Sequence, residues 1–176
     1  MISIIIPTYN GERFIEINYA ALCEQLDSRF EVIYINDGST DNTYRILERL
    51  AFTDTRIKLI NQENSGAMLA RMAGLKKSSF DYVTFLDVDD TVTPNFISDF
   101  LNNLDKGYDL VATGLLLNKE GKLTQKNQIK PNVYSRDEYL ELVLTRSSWE
   151  LCGKAFNKKL FENISLAERP ISIAED

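Results

Sequence analysis

The chain contains no histidine among its 176 residues. Without one, neither a Ser-His nor a Cys-His dyad can activate a nucleophile, and no imidazole is available to ligate a metal or relay a proton. Cysteine is scarce too. Cys23 and Cys152 lie far apart and lack Cys-x-x-Cys spacing, so neither a disulfide framework nor a thiolate metal site is encoded. Both are expected to be buried thiols in a reducing compartment. The N-terminal apolar run, Ile2–Ile6, stops at Pro7, too short for a signal peptide or a membrane span. A soluble, cytoplasmic protein is the expectation. Basic charge is also in short supply: 20 Lys and Arg face 26 Asp and Glu, a net charge of −6 and a pI near 4.8. That balance argues against nucleic acid as the main partner.

What is present is the composition of a globular domain, 44% hydrophobic and 10% aromatic, enough to build a core. The acidity is uneven. Residues 1–117 carry 10 basic and 17 acidic side chains (net −7), while residues 118–176 carry 10 and 9 (net +1). Lys119, Lys122, Lys126 and Lys130 form a local basic stretch, read as the solvated face of a hairpin.

Short β-branched or aromatic runs alternate with segments of helical spacing. Ile2–Ile6, Glu31–Ile35, Ile57–Ile60 and Tyr82–Leu86 are predicted strands. Between and after them lie four stripes: Phe14, Ile17, Ala21 and Leu22; Tyr44, Leu47 and Leu50; Met68, Met72 and Leu75; Phe96, Phe100 and Leu104. This order predicts an α/β fold, a mainly parallel, doubly wound sheet with helices on both faces. Beyond it, Leu110–Leu117 reads as one strong strand with a hairpin turn at Asn118–Lys122. Ser135 and Glu138 form a capping box opening a helix through Leu144, and Trp149 to Phe161 reads as a strand followed by a short helix.

Parallel sheets bind ligands beyond the carboxyl ends of their strands. The loops there are Pro7-Thr8-Tyr9-Asn10, Asn36-Asp37-Gly38-Ser39 and Asp87-Val88-Asp89-Asp90. The last packs three carboxylates at the end of an apolar run. If Asp87 and Asp89 keep extended geometry, they share one face about 7 Å apart while Asp90 points elsewhere. Like charges this close repel by roughly 1 kcal/mol in water and more under partial burial, so a counterion belongs there. The ligands are all oxygens, which points to Mg²⁺ or Mn²⁺. The competing reading has Asp90 or Thr91 capping the next helix, with the other acids solvated.

Five blocks in order resemble the family 2 glycosyltransferases of the GT-A (nucleotide-diphospho-sugar transferase) fold, especially bacterial enzymes that build surface and capsular polysaccharides. They are Ser3–Glu12, Glu31–Asp41, Asn64-Ser65-Gly66 with Ala70–Leu75, Phe85–Asp90 with Pro94, and Glu175-Asp176. The resemblance implies that Pro7, Thr8 and Tyr9 shape a nucleotide pocket and that Asp37 binds the base, uracil. Asp87 and its neighbour Val88 then lie near the ribose or sugar, Asp89 binds Mn²⁺ or Mg²⁺, Arg71 contacts the diphosphate, and Asp176 is the catalytic base. It implies residues 1–117 as the donor-binding part and 118–176 as the start of an acceptor-side part within one structural domain, cut short because the family continues past its acidic pair. The implied reaction is inverting transfer from a UDP-sugar to a glycan or lipid-linked saccharide, at the inner face of the cell membrane with transient, peripheral association.

Each assignment has a plainer counterpart. Asp37 belongs to a loop that is also a turn, with Ser39 or Thr40 capping the next helix. Arg71 sits on a helix where it would equally pair with an acid, Tyr9 would equally pack, and Trp149 reads as core. Three other functions compete. A sugar nucleotidyltransferase would want a glycine-rich basic loop after the first strand, and this loop has one glycine. A receiver-like signalling module would want an acidic pair after strand one, where Thr8-Tyr9-Asn10 stands. A nucleotide-sugar-binding relative without transfer activity differs at the base, which is the last residue.

Overall fold

The computed structural model describes residues 1–119, 122–126, 132–146 and 150–162. Strands β1 (Ile2–Thr8), β2 (Phe30–Asp37), β3 (Ile57–Gln62) and β4 (Tyr82–Phe85) run parallel. Each is followed by a helix: α1 (Ile15–Cys23), α2 (Thr43–Thr53), α3 (Ala67–Lys77) and α4 (Phe96–Leu104). The sheet order is β3-β2-β1-β4-β8-β5. Strand β8 (Lys154–Asn157) lies antiparallel between β4 and β5 (Leu110–Ala112). A segment from the C-terminal third therefore completes the sheet begun by the first 117 residues.

The core follows from the two-residue period of the central strands. Ile2, Ile4, Ile6, Val32 and Tyr34 pack with Ile15, Leu22, Leu47, Leu50, Phe96, Ile97 and Phe100 of α1, α2 and α4. Ile5, Ile33, Ile35, Val83 and Phe85 face the other way, against Ala70 and Leu75 of α3. Helices thus cover both faces, and β1 and β2 are buried almost throughout. On the α3 side the approach is close: a Cβ at Gly74 would stand 2.5 Å from Ile5 Cγ2 and 2.9 Å from Ile35 Cδ1.

Several expectations are corrected. α1 buries Ile15, Asn18 and Leu22, while Ile17 is 62% exposed, because the helix starts at Ile15 and its buried face is rotated by one residue. Tyr44 and Met68 are also exposed; Thr43 and Ala70 take the inward positions. The α4 stripe of Phe96, Phe100 and Leu104 is buried as predicted. Leu110–Leu117 is two strands. At Thr113 both the amide and the hydroxyl donate to the Gly153 carbonyl (2.8 and 3.1 Å), the last bonds to the β8 side before the chain leaves the sheet. The chain then forms β6 (Leu115–Lys119), paired antiparallel with β7 (Lys122–Lys126) as the predicted hairpin.

The capping box of α5 (Arg136–Arg146) forms, with Ser135 N donating to Glu138 Oε2 at 2.7 Å. Neither Ser39 nor Thr40 caps α2. Asp41 Oδ1 accepts from Thr43 N at 3.0 Å instead, because Ser39 and Thr40 are engaged by Asn10. Neither Asp90 nor Thr91 caps α4, which begins at Phe96 after Asn95. Cys23 is exposed and Cys152 half-buried, so neither matches the expected buried thiol. Trp149 and Asp176 lie outside the described residues.

Candidate functional site

The site grows from the carboxyl ends of β1, β2 and β4, where the strand order reverses about β1 and its flanking helices lie on opposite faces. Two loops are laced together there. Asn10, in the left-handed region at φ 49°, donates its amide to Ser39 Oγ (3.0 Å) and accepts from Thr40 N (2.9 Å). Gly11 N donates to Thr43 Oγ1 (2.8 Å), and Glu12 Oε2 takes both the backbone and side-chain N–H groups of Asn42 (3.0 Å each). A side chain at Gly11 would press within 2.8 Å of Thr8 Cγ2 and 3.2 Å of Val88 Cγ1, so this glycine lets the β1 and β4 loops meet. Asn10 and the Ser39-Thr40-Asp41-Asn42 run do positioning work that residue-type reasoning did not assign.

The resulting cavity is about 330 Å³. Pro7, Thr8, Tyr9, Asp37, Arg71, Asp87, Val88 and Asp89 all line it, which are the sequence-derived candidates other than Asp176. Tyr9 is half exposed on its wall and Thr8 is buried. Asp37 is 3% exposed, and its carboxylate is already at work. Oδ1 accepts from Gln62 Nε2 (2.7 Å) and Ser65 N (2.9 Å), and Oδ2 accepts from Gly66 N (2.9 Å). These bonds anchor the loop leading into α3 and set a negative charge at that helix's N-terminus. A carboxylate offers about four lone-pair sites, so one remains for a further donor.

After β4 the chain turns. Asp90 N donates to Asp87 O (3.0 Å), and the buried Asn18 on α1 donates Nδ2 to the Asp90 carbonyl (2.9 Å). Tyr34 fixes Asn18 by donating to its Oδ1 (2.8 Å). A lone amide inside an apolar helical stripe was the available signal for Asn18. Because of this turn, Asp87 and Asp89 do not lie in extended register, and Asp90 does not point away. Carboxylate oxygens of Asp87 and Asp90 and the Cys152 sulfur lie within 4.8 Å of one another. Asp87 is held at both oxygens, by Arg71 Nη2 at 2.8 Å and by the Cys152 thiol at 3.3 Å. Arg71 thus meets an acid within the site rather than on the surface. Its Nε–H is buried with no partner among the described residues, a donor that an entering anion would satisfy.

The electrostatics follow from this crowding. Desolvation, then the neighbouring charges of Asp87 and Asp89, push the Asp90 carboxyl above its ordinary range. Burial and the Asp87 charge push the Cys152 thiol up to about 12, so it stays protonated as a donor. The carboxylates of Asp87 and Asp90 are hard oxygen donors suited to a hard cation. Asp89, exposed and without a hydrogen bond or ion pair among the described residues, is the carboxylate at liberty to bind one. The residues present fit a Mg²⁺ or Mn²⁺ ion.

A second cavity of about 270 Å³ adjoins the first across Arg71 and Asp87, which line both. Asp90, Glu150, Leu151, Cys152 and Leu115–Leu117 complete its walls. Apart from Asp90, which the residue pattern pointed elsewhere, sequence reasoning did not assign these residues to a site.

Comparison with known proteins places the chain. It matches the sequence profile of glycosyl transferase family 2 over residues 3–165. It is 32% identical to the uncharacterized glycosyltransferase EpsJ of Bacillus subtilis, with 100% of this chain and 54% of that protein covered. It is 30% identical to the GalNAc(5)-diNAcBac-PP-undecaprenol beta-1,3-glucosyltransferase of Campylobacter jejuni, covering 92% and 53%. The structure of Staphylococcus aureus TarS 1-349 superposes with a TM-score of 0.73 at 25% identity, covering 91% of this chain and 48% of that one. In fold alone, the mannosyltransferase PcManGT of Pyrobaculum calidifontis, solved with GDP-Man and Mn²⁺, is similar at a TM-score of 0.66 and 20% identity. The chain spans about half the length of these relatives. With its parallel sheet, its two-sided helical cover and its acidic turn after β4, the chain belongs to glycosyl transferase family 2 and has the GT-A fold.

Proposed function

We propose that this chain carries the donor site of an inverting, metal-assisted glycosyltransferase that takes a sugar from a UDP-sugar and delivers it to a glycan or lipid-linked saccharide. One observation carries the reading: a single cavity gathers Thr8 and Tyr9, Asp37, Arg71, Asp87 and Asp89 from loops and helices far apart in sequence. The base lies against Tyr9 with an N–H directed at the remaining acceptor site of Asp37. The ribose or sugar hydroxyls donate to Asp87, whose rotamer Arg71 and Cys152 already hold. Asp89 would hold Mn²⁺ or Mg²⁺, which when bound supplies the positive charge that a diphosphate requires among carboxylates. Arg71 adds its unsatisfied Nε–H on the same side.

Transfer forms a bond from an acceptor hydroxyl oxygen to the anomeric carbon as the bond to the diphosphate oxygen breaks. The hydroxyl proton passes to a carboxylate, assigned by resemblance to Asp176. One displacement inverts the centre, and no covalent nucleophile is needed. The reading draws support from names as well: the Campylobacter relative is named for an undecaprenol-linked acceptor, and TarS has been solved with UDP-GlcNAc, though at 24% identity that structure shows the fold alone. No described helix is long and apolar enough to cross a membrane.

Calorimetric titration with UDP, GDP and dTDP, each with and without Mn²⁺, tests the proposal. UDP binding that depends on Mn²⁺ is expected. A folded sample that binds none of the three would overturn it.

A further inference from the structure

We propose that Asn18, oriented by Tyr34, is a positioning residue for the acidic turn after β4 and thereby sets the affinity of that turn for a divalent cation. This rests on the donor-site reading above and adds the residues that preorganise it. Asn18 occupies a place on α1 where an apolar side chain is expected. Ile15 and Leu22, on the turns before and after it, are core residues, and Asn18 itself is 1% exposed. Burying an amide is costly unless its hydrogen bonds are made. Nδ2 donates to the Asp90 carbonyl at 2.9 Å and reaches the Asp87 carbonyl at 3.5 Å, the two ends of the turn. A carbonyl only accepts, so the amide nitrogen must face the turn and Oδ1 must face away. There it takes the hydroxyl of the fully buried Tyr34 at 2.8 Å.

The turn needs such a tether. Arg71 offsets the charge of Asp87, but Asp89 and Asp90 stay adjacent, and like charges this close repel. From within, the turn is closed by the backbone bond from Asp90 N to Asp87 O at 3.0 Å. Val88 packs on the core from between Asp87 and Asp89, and both acids line the first cavity. That apolar contact fixes Val88 but not the path of the chain beyond it. The Asn18 amide fixes that path by holding the Asp90 carbonyl. Asn18 lines neither cavity, so its influence on a ligand runs through the turn. A turn held only part of the time binds its cation with an affinity lowered by the fraction held. Removing the tether should lower that fraction about tenfold, equivalent to about 1.4 kcal/mol, the size of one net hydrogen bond.

The test is calorimetric titration of UDP at a series of Mn²⁺ concentrations, reading the Mn²⁺ concentration that gives half-maximal binding, on samples shown to be folded by circular dichroism. Asn18→Leu should raise that concentration about tenfold, and Tyr34→Phe, which frees the amide to turn, about two- to fivefold. Saturating Mn²⁺ should restore parental UDP binding in both. Asn18→Leu also leaves the Tyr34 hydroxyl buried without its acceptor, so it should be less stable in urea. The double variant Asn18→Leu/Tyr34→Phe removes that orphan and should regain stability while its Mn²⁺ requirement stays about tenfold higher. A Mn²⁺ requirement that returns to the parental value together with stability would overturn this inference alone. So would a loss of UDP binding that no Mn²⁺ concentration restores. If Asn18→Leu does not fold, Tyr34→Phe decides, and an unchanged Mn²⁺ requirement there would overturn the inference. Parent chain that binds no UDP, or binds it equally with and without Mn²⁺, would overturn the metal-assisted donor-site reading and this inference with it.

Discussion

Asp37 has two roles that a substitution can separate. Replacing it by Ala removes three hydrogen bonds at 2.7–2.9 Å, two of them from backbone N–H groups of Ser65 and Gly66 at the entrance to α3. A hydrogen bond to a charged acceptor contributes roughly 1.5–3 kcal/mol. The three donors are partly buried rather than sealed, and they share one acceptor group, so their losses do not add in full. A total near 3 kcal/mol follows, including the few tenths gained from a negative charge at a helix N-terminus. For a domain of this size each kcal/mol moves Tm by about 2–4 °C, so Asp37→Ala should melt roughly 6–12 °C lower. Asp37→Asn keeps one oxygen but turns an amide toward one of the donors, and should lose about 1–2 kcal/mol. Urea denaturation and thermal scans would measure both, with UDP titration in parallel. If Asp37→Ala is as stable as the parent within about 0.5 kcal/mol and only UDP binding is lost, the loop-anchoring argument is wrong. If stability falls as described and UDP still binds, Asp37 holds the loop and not the base.

Four further outcomes are expected. Asp89→Asn should leave stability within about 0.5 kcal/mol, since the side chain is exposed and makes no described bond, while the Mn²⁺ dependence of UDP binding disappears; unchanged Mn²⁺-dependent binding would remove it as the ligand. In a chain extended past residue 176, Asp176→Asn should spare donor binding and lower turnover by orders of magnitude, and normal turnover would place the base elsewhere. Gly74→Ala gains about 1 kcal/mol of helix propensity but forces a methyl to within 2.5 Å of Ile5 Cγ2. Overpacking of roughly 1–3 kcal/mol should win, so a more stable variant in urea would refute the close packing of α3 on the sheet. Hydrogen bonding from Arg56 holds the Asp54 carboxyl at about 2, against an ordinary 3.8. A lowered folded value stabilises above about pH 4 and fades as pH falls toward 2. Asp54→Asn should therefore cost about 1–2 kcal/mol at pH 7, discounted because Arg56 is one-third exposed, and close to nothing at pH 2. A cost that is flat across that range would count against the pair.

The four parallel strands, their layer order and most of the first cavity were legible from residue pattern alone, because those signals are local. Ile2–Ile6 and Glu31–Ile35 read as buried parallel strands from apolar runs alone, and a parallel sheet puts its functional loops at one known end. That rule alone places Thr8, Asp37 and Asp87 at the same end of the sheet. Tertiary structure decided what depends on contacts between distant residues. Cys152 stands 65 residues from the Asp87 it donates to, and Thr84 Oγ1 reaches 70 residues to the Lys154 carbonyl in β8; no periodicity carries such pairings. The last bond of β5 to the β8 side is likewise long-range, from Thr113 to the carbonyl of Gly153, 40 residues away. The turn that brings Asp90 back beside Asp87 is held by Asn18 from another helix, and without that amide the run Asp87–Asp90 reads equally well as extended. Carboxylate positions were legible because each strand ends where its apolar run ends. Their convergence was not, because side-chain direction at a strand end is set by whatever packs there, and here that is α1 and the strand inserted beside β4.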